Sequence, residues 1–323
     1  MSKSFVISLL INPQTGAVNE VSQDEIQSWR PEQGILWLHM NYRNPAARDW
    51  LAQAGLPATD TQTLLDHDTR PRVEASAARI LMTLRGINLN PESAPEDMVA
   101  VRLYADKQRI ITSSDRKVKS IGELAEQLLK GNGPTSPGTF ILELCHRLTL
   151  RKVNQIMDME DKLADLEEQA LQQSDHNLRL NLGELRRQVI AVRRYLAPQK
   201  EAFFSVISTA SLMSTEERSR MREIYNTLLR VIEDLDAIRD RALVTQEELS
   251  NQLTEQLNKR LYFLSLVTAI FLPLGFLTGL LGVNIGGIPG TNDPKAFTYF
   301  SIGLGVLIVI QIFLLYSFHW LKK

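Results

Sequence analysis

Apolar and charged residues intermingle along the first 260 positions and then separate. From Leu261 to Leu281 there is no charged residue, and the same holds from about Ala296 to Trp320. Each stretch matches the ~20 residues an α-helix needs to cross a ~30 Å hydrocarbon core. Two spans are therefore expected, 261–281 and 296–320, joined by an outer loop 282–295. Lys259 and Arg260 precede the first span and Lys322 and Lys323 follow the second, whereas the loop holds only Asp293 and Lys295. That asymmetry puts both termini in the cytoplasm. Tyr262, Phe297, Tyr299, Tyr316 and Trp320 fall near the water boundaries, where amphipathic rings settle.

Ahead of the spans, short β-rich runs (Ser4–Ile11, Gly34–Met40, Arg79–Leu89, Met98–Asp106 and Gln108–Ser114) alternate with helical patterns at Ala46–Leu56 and Val118–Lys130. This predicts a cytoplasmic α/β domain over 1–130. Lys130–Thr139, KGNGPTSPGT, reads as a linker. A helical bundle and stalk over 139–260 should follow. Its first helix runs from about Phe140 to Gln173, and its second from about Asn177 past Pro198, which should kink or break it. A third begins behind Ser214, which has capping-box spacing to Glu217. No proline or glycine follows until Pro273, so Thr215–Leu281 reads as one helix ~100 Å long, half stalk and half span.

Along that helix Leu228, Ile232, Leu235, Ile238, Ala242, Leu249, Leu253, Leu257, Leu261 and Leu264 recur at threes and fours, with a gap near Thr245. Such a stripe calls for partner helices. Glu233, Asp234, Asp236, Arg239, Asp240, Arg241, Glu247 and Glu248 stand between its members. They read first as solvated faces with salt pairs, and alternatively as acidic rings around a water-filled axis. In the first span, Asn258, Leu261, Ser265, Thr268, Leu272, Gly275, Gly279 and Gly282 form a small or mildly polar face. Small residues at helical spacing suit close packing as well as a conduit. Two spans cannot enclose a polar path alone, so any pore must be built by several subunits.

Composition narrows the partners. The chain is 44% hydrophobic and 23% charged, with a net charge of −1, which argues against nucleic acid. The opening MSKSFVISLL lacks the pattern of a removable leader. A single cysteine, Cys145, excludes an intrachain disulfide and a thiolate cluster. No phosphate-binding glycine loop, cofactor fingerprint or catalytic constellation occurs, so neither an enzyme nor direct ATP drive is expected, and no cofactor is needed. His67 lies between Asp66 and Asp68. The three read first as a helix end and turn before Pro71, and otherwise as a regulatory metal site. Cys145 and His146 sit about 100° apart on a helix and do not converge.

Asn284, just past the first span, has two readings. Gly282 and Asn284 both tolerate left-handed backbone and would cap a helix. Alternatively, several copies around an axis would offer a ring of neutral amide oxygens that binds a cation weakly enough to release it. The spans hold no carboxylate, and the membrane half has only His319, so a dehydrating zinc site there is not expected. A membrane-anchored scaffold or sensor is the competing function class.

FLPLGFLTGLLGVN, the following IP and the lysine-ended second span resemble the CorA superfamily of divalent-cation transporters, whose signature at this place is Gly-Met-Asn. WLHM, LLDHDTRPRVE (Leu64–Glu74), RRYLAPQKE (Arg193–Glu201) and the long helix are similar to its soluble domain. The resemblance implies an α+β cytoplasmic domain, an α/β sandwich whose long helices form a funnel, above a two-span all-α membrane domain. It also implies a homopentamer in the bacterial inner membrane. Gly282, Val283 and Asn284 then form the selectivity loop. Asn258, Leu261, Leu264, Ser265, Thr268, Leu272, Gly275 and Gly279 line the pore, and Glu247 stands where an acidic ring guards its inner mouth. Val283 replaces the usual methionine, and Gly-Gly-Ile-Pro-Gly replaces an acidic loop, which is the form of the zinc-transporting branch. The implied substrate is a divalent cation, zinc first and nickel, cobalt or cadmium besides, with proton coupling open and magnesium as the alternative.

Overall fold

The structure is a computed structural model describing residues 5–317, apart from 68–69, 92, 95, 173–175, 210–211, 284–287, 289 and 291. The chain divides into two compact units, Met1–Leu249 and Ser250–Lys323.

The first unit is built on a seven-stranded mixed sheet. Its strands are β1 (Ile7–Ile11), β2 (Val18–Glu20), β3 (Ile35–Asn41), β4 (Arg72–Ala75), β5 (Ile80–Ile87), β6 (Met98–Ala105) and β7 (Arg109–Ser114), in the order β2-β1-β3-β7-β6-β5-β4. Only the β3–β7 pair is parallel. The five β-rich runs became β1, β3, β5, β6 and β7; β2 and β4, three and four residues long, carry too little apolar pattern to be seen.

Helices α1 (Gln23–Ser28), α2 (Pro45–Gln53) and α3 (Ala58–Leu65) cover one face. There Ile26, Ala47, Leu51 and Leu64 pack with Leu36, Leu38, Met40, Leu81, Tyr104 and Ile111. Helices α4 (Lys119–Leu129) and α5 (Pro137–Gln172) cover the other; Phe140 meets Trp37 edge-on at 4.8 Å. With both faces covered, central strands lose the alternation of a half-exposed sheet, and every residue of β5 is buried. Gly86 in β5 admits α5 at close range: a Cβ there would meet Leu148 Cδ2 at 2.7 Å.

The linker is shorter than expected, because α5 starts at Pro137. Proline suits the first helical position, where an N–H would be unpaired anyway, and Ser136 Oγ accepts the Thr139 N–H at 3.0 Å. Helix α6 (His176–Thr209) runs through Pro198 without a break. The carbonyl that Pro198 orphans belongs to exposed Arg194, where water serves it, while Leu196, Gln199, Ala202 and Phe203 on the opposite side are buried. Gln199 completes the sheet. Strand β4 pairs only with Ile80–Thr83, and beyond its end the Arg85 N–H is taken by Gln199 Oε1 at 2.9 Å.

Helix α7 (Thr215–Leu281) is one uninterrupted element of 67 residues, capped as the sequence indicates: Glu217 N–H donates to Ser214 Oγ at 3.1 Å and Ser214 N–H to Glu217 Oε2 at 2.6 Å. In the first unit it is tied to its neighbours by bidentate pairs. Arg193 of α6 meets Asp236 at 2.7 and 3.0 Å, and Arg241 meets Glu167 of α5 at 3.2 and 2.5 Å. The second unit holds the rest of α7 and α8 (Ala296–Ser317).

Candidate ion pathway

Helix α7 has two contrasting faces within the first unit. Met221, Ile224, Leu228, Val231, Leu235, Ile238, Ala242, Thr245 and Leu249 are buried. The gap expected at Thr245 is filled: its hydroxyl donates to the Arg241 carbonyl at 3.0 Å, which satisfies the group inside the helix and lets the methyl pack. Leu257, Leu261 and Leu264, expected to extend the packing stripe, are instead 57%, 61% and 61% exposed.

Opposite the buried face runs a ladder of exposed positions: Asn226, Arg230, Glu233, Ala237, Asp240, Val244 and Glu247. The alternation of four and three continues without a slip through Asn251, Thr254, Asn258, Leu261, Ser265, Thr268, Leu272, Gly275, Gly279 and Gly282, all exposed. This is a seven-residue repeat. Acidic side chains occupy the same repeat position at Glu233, Asp240 and Glu247, ~10.5 Å apart at 1.5 Å rise per residue. Beyond Glu247 every rung is neutral. The upper rungs, 226 to 244, were not among the sequence candidates; counting back from Asn258 in sevens would have found them.

Of the other charged stalk residues, Asp236 is bound by Arg193 and by Arg239 at 3.0 Å, and Arg241 by Glu167. Those are the salt pairs expected of a solvated face. Asp240 accepts from Arg239 at 2.9 Å, and that hydrogen bond holds its carboxyl below the usual range. Glu247 is exposed.

In the second unit no residue of α8 is buried, nor any residue of α7 beyond Leu249. Leu266, Val267, Ile270, Pro273, Leu274 and Leu277 form a half-covered stripe on α7, and Phe300, Leu304, Leu307, Ile308, Gln311 and Leu315 another on α8. The rungs from Leu261 to Gly279 lie off that stripe and have no cover from their own chain. Span hydroxyls are satisfied within the helix: Thr268 Oγ1 donates to the Leu264 carbonyl at 2.8 Å and Thr278 Oγ1 to Leu274 at 2.9 Å. The helix closes with Gly282 N–H on the Thr278 carbonyl at 2.9 Å. A Cβ on Gly282 would meet that oxygen at 2.9 Å. Val283 follows in a bend, 43% exposed, and Asn284 lies outside the described residues.

The candidates in the soluble unit do not make a metal centre. Asp66 is the C-cap of α3 with extended backbone, and exposed His67 receives or donates one hydrogen bond, Tyr42 Oη to Nδ1 at 3.4 Å. Asp68 lies outside the described residues. Among the described residues no group of three histidine, cysteine or acidic side chains could share a metal. Cys145 is buried and His146 exposed, on separate faces of α5.

Comparison with known proteins places this arrangement. The Zinc transport protein ZntB of Yersinia enterocolitica is 37% identical over 308 residues, covering 95% of this chain and 93% of that protein. The Divalent cation transporter CmaX of Pseudomonas aeruginosa is 37% identical over 299 residues, covering 90% and 89%. The solved full-length CmaX protein superposes with a TM-score of 0.86 at 34% identity over 98% of both chains. The CorA magnesium transporter from Methanocaldococcus jannaschii shares the fold, with a TM-score of 0.80 at 19% identity over 98% and 99%. Like these proteins the chain is membrane-embedded, through the two helices long and apolar enough to span. The family described as CorA-like Mg2+ transporter protein matches residues 32–323, and the chain belongs to it.

Proposed function

We propose that this chain carries divalent metal cations, zinc foremost, across the bacterial inner membrane through an axial pore lined by α7 of five identical copies. The observation that carries this reading is the seven-residue ladder. Its rungs are exposed in the single chain, acidic at the stalk and small or neutral-polar in the span. A strict seven-residue repeat keeps one face toward an axis when helices supercoil left-handedly, whereas on a straight helix it drifts ~20° per repeat. Copies assembled this way bury the span's polar rungs against water rather than lipid, as the hydrocarbon core requires.

Acidic rungs at Glu233, Asp240 and Glu247 concentrate cations at the cytoplasmic mouth. Asn258, Ser265 and Thr268 then offer neutral oxygens, and Gly275, Gly279 and Gly282 narrow nothing. Gly282, Val283 and Asn284 form the outer selectivity loop, with an amide ring at Asn284. Neutral oxygens discriminate weakly among zinc, nickel, cobalt and cadmium. The names of the ZntB relatives support zinc, and valine at 283 in place of methionine separates this loop from the magnesium pattern. Both termini face the cytoplasm, with residues 1–130, 139–260 and 261–323 acting as soluble domain, bundle with stalk, and membrane domain. No carboxylate lies in either span, so any proton that accompanies the metal is handled outside the hydrocarbon.

Zinc and magnesium flux into liposomes holding the purified protein, with and without a proton gradient, tests this reading. Zinc flux that Asn284→Ala abolishes is expected. Magnesium flux with no zinc flux would transfer the chain to the magnesium reading, and flux unchanged by Asn284→Ala would remove the amide ring.

A further inference from the structure

A polar cluster under α3 takes no part in the ion pathway. Strand register sets Thr83 of β5 beside Arg102 of β6, and Arg102 beside Ser113 of β7, so the three stand in a row on one face of the sheet. Ser113 is satisfied by the Leu64 carbonyl at 2.7 Å. Arg102 is completely buried. Its Nη2 donates to the Asp66 carbonyl and reaches that of His67 at 3.5 Å, and its guanidinium carbon lies 4.4 Å from the centre of the Tyr42 ring. Its Nε and Nη1 have no acceptor, and the Thr83 hydroxyl beside it has no partner; all three are closed off from solvent.

A guanidinium cannot escape burial by losing its proton, as a lysine can. An unmatched buried charge is among the most destabilising arrangements available. Here one nitrogen and one ring face are matched, and two N–H groups with an adjacent hydroxyl are not. The surrounding charges do not supply the balance. Asp115, the carboxylate that acts on Arg102, is already paired with Arg43 at 3.1 Å, and Arg85 adds a like charge. What the cluster presents is three convergent donors and a net positive field, with no carboxylate in contact.

We propose that Arg102 Nε and Nη1 and the Thr83 hydroxyl hold a small inorganic anion of chloride's size and charge inside the α/β unit. A water molecule would accept the same hydrogen bonds but leave the charge unmet. Because Arg102 also grips the carbonyls of Asp66 and His67, the anion fastens the α3–β4 connection to the centre of the sheet. Those two residues border an open cleft of about 670 Å³ between α2 and α3, so the connection stands between the cluster and solvent.

The test is thermal unfolding of the full-length protein in detergent, in chloride or in gluconate at equal ionic strength. Chloride is expected to raise the apparent Tm by ~2–4 °C, saturably. Thr83→Val should weaken that response and Arg102→Met remove it. Since Arg102→Met endangers folding, crystals of the unaltered protein grown in bromide supply the second measurement: an anomalous peak at hydrogen-bond distance from Arg102 Nε is expected. Equal Tm values in the two salts, or a water in place of the bromide peak, would overturn the proposal. So would a chloride response that is absent from the natural chain and arises only in Asp68→Asn, since the counter-charge would then be internal.

Discussion

The carboxylate of Glu217 occupies the space that a side chain on Gly138 would fill. A Cβ at Gly138 would stand 2.6 Å from Glu217 Oε2 and 2.8 Å from Oε1. Glu217 closes the capping box of α7 and also accepts from Ser136 Oγ at 3.1 Å, at the start of α5. One carboxylate thus serves the positive ends of two long helices, a favourable place for negative charge.

Gly138→Ala should therefore lower the stability of the first unit by about 1–3 kcal/mol, the range for overpacking plus a displaced cap. Gly122→Ala in α4, where a Cβ meets nothing within 4 Å, should be neutral or stabilising by up to about 1 kcal/mol. Denaturant unfolding followed by fluorescence of the buried Trp37 compares the two. Equal effects would mean that Glu217 moves aside freely.

Lys152 and Cys145 should give the first unit an alkaline stability maximum. Lys152 is buried with one hydrogen bond, to the Leu148 carbonyl at 3.1 Å, and desolvation lowers its pKa from 10.5 to about 7. Between those values the unfolded chain binds the extra proton, so stability rises with pH from about 7. Desolvation pushes the Cys145 thiol up to about 12 from 9.0, so above pH 9.0 the unfolded chain ionises first and stability is lost. The two slopes oppose one another between 9.0 and 10.5, which sets the top of the curve there. Lys152→Met should flatten the rise above pH 7 and add on the order of a few kcal/mol at neutral pH. A rise that persists in Lys152→Met would assign it to another group.

Thiol labelling reports which face of the first span meets the ion path. Thr268→Cys, on the ladder, should lose at least ~10-fold of its metal flux to a charged thiol reagent added from the aqueous side, because a permanently charged adduct blocks a narrow hydrated path. Ile312→Cys on α8, 49% exposed in the single chain, should label poorly and keep its flux. The natural Cys145 stays silent, being buried and held as the thiol. Flux loss at residue 312 without loss at 268 would turn the span's faces round.

Glu247→Gln should reduce zinc flux ~2–5-fold at low ionic strength and by less as salt screens the field. Glu248→Gln, exposed one position off the ladder, should change little. Equal losses would indicate a general surface charge rather than a rung.

Much of the architecture was legible because it rests on local rules. The capping box at Ser214, the absence of helix breakers and the apolar run from Leu261 each act within a few turns, and Thr215–Leu281 follows from them. Short edge strands were not legible, since β2 and β4 owe their pairing to neighbours distant in sequence rather than to their own pattern. Nor was the fate of Pro198, where the buried packing of α6 outweighs a local penalty.

The amino-acid order by itself determined the two spans, the long helix and the strand-forming runs, because hydrophobic length, periodicity and capping are properties of the segment that carries them. Tertiary structure decided which face of α7 is buried, and so where the ladder lies; that Thr245 belongs to the core; and that Arg102 meets Thr83 across two strands. Those outcomes depend on which surfaces compete for the same space, and on charges brought together only when the sheet forms.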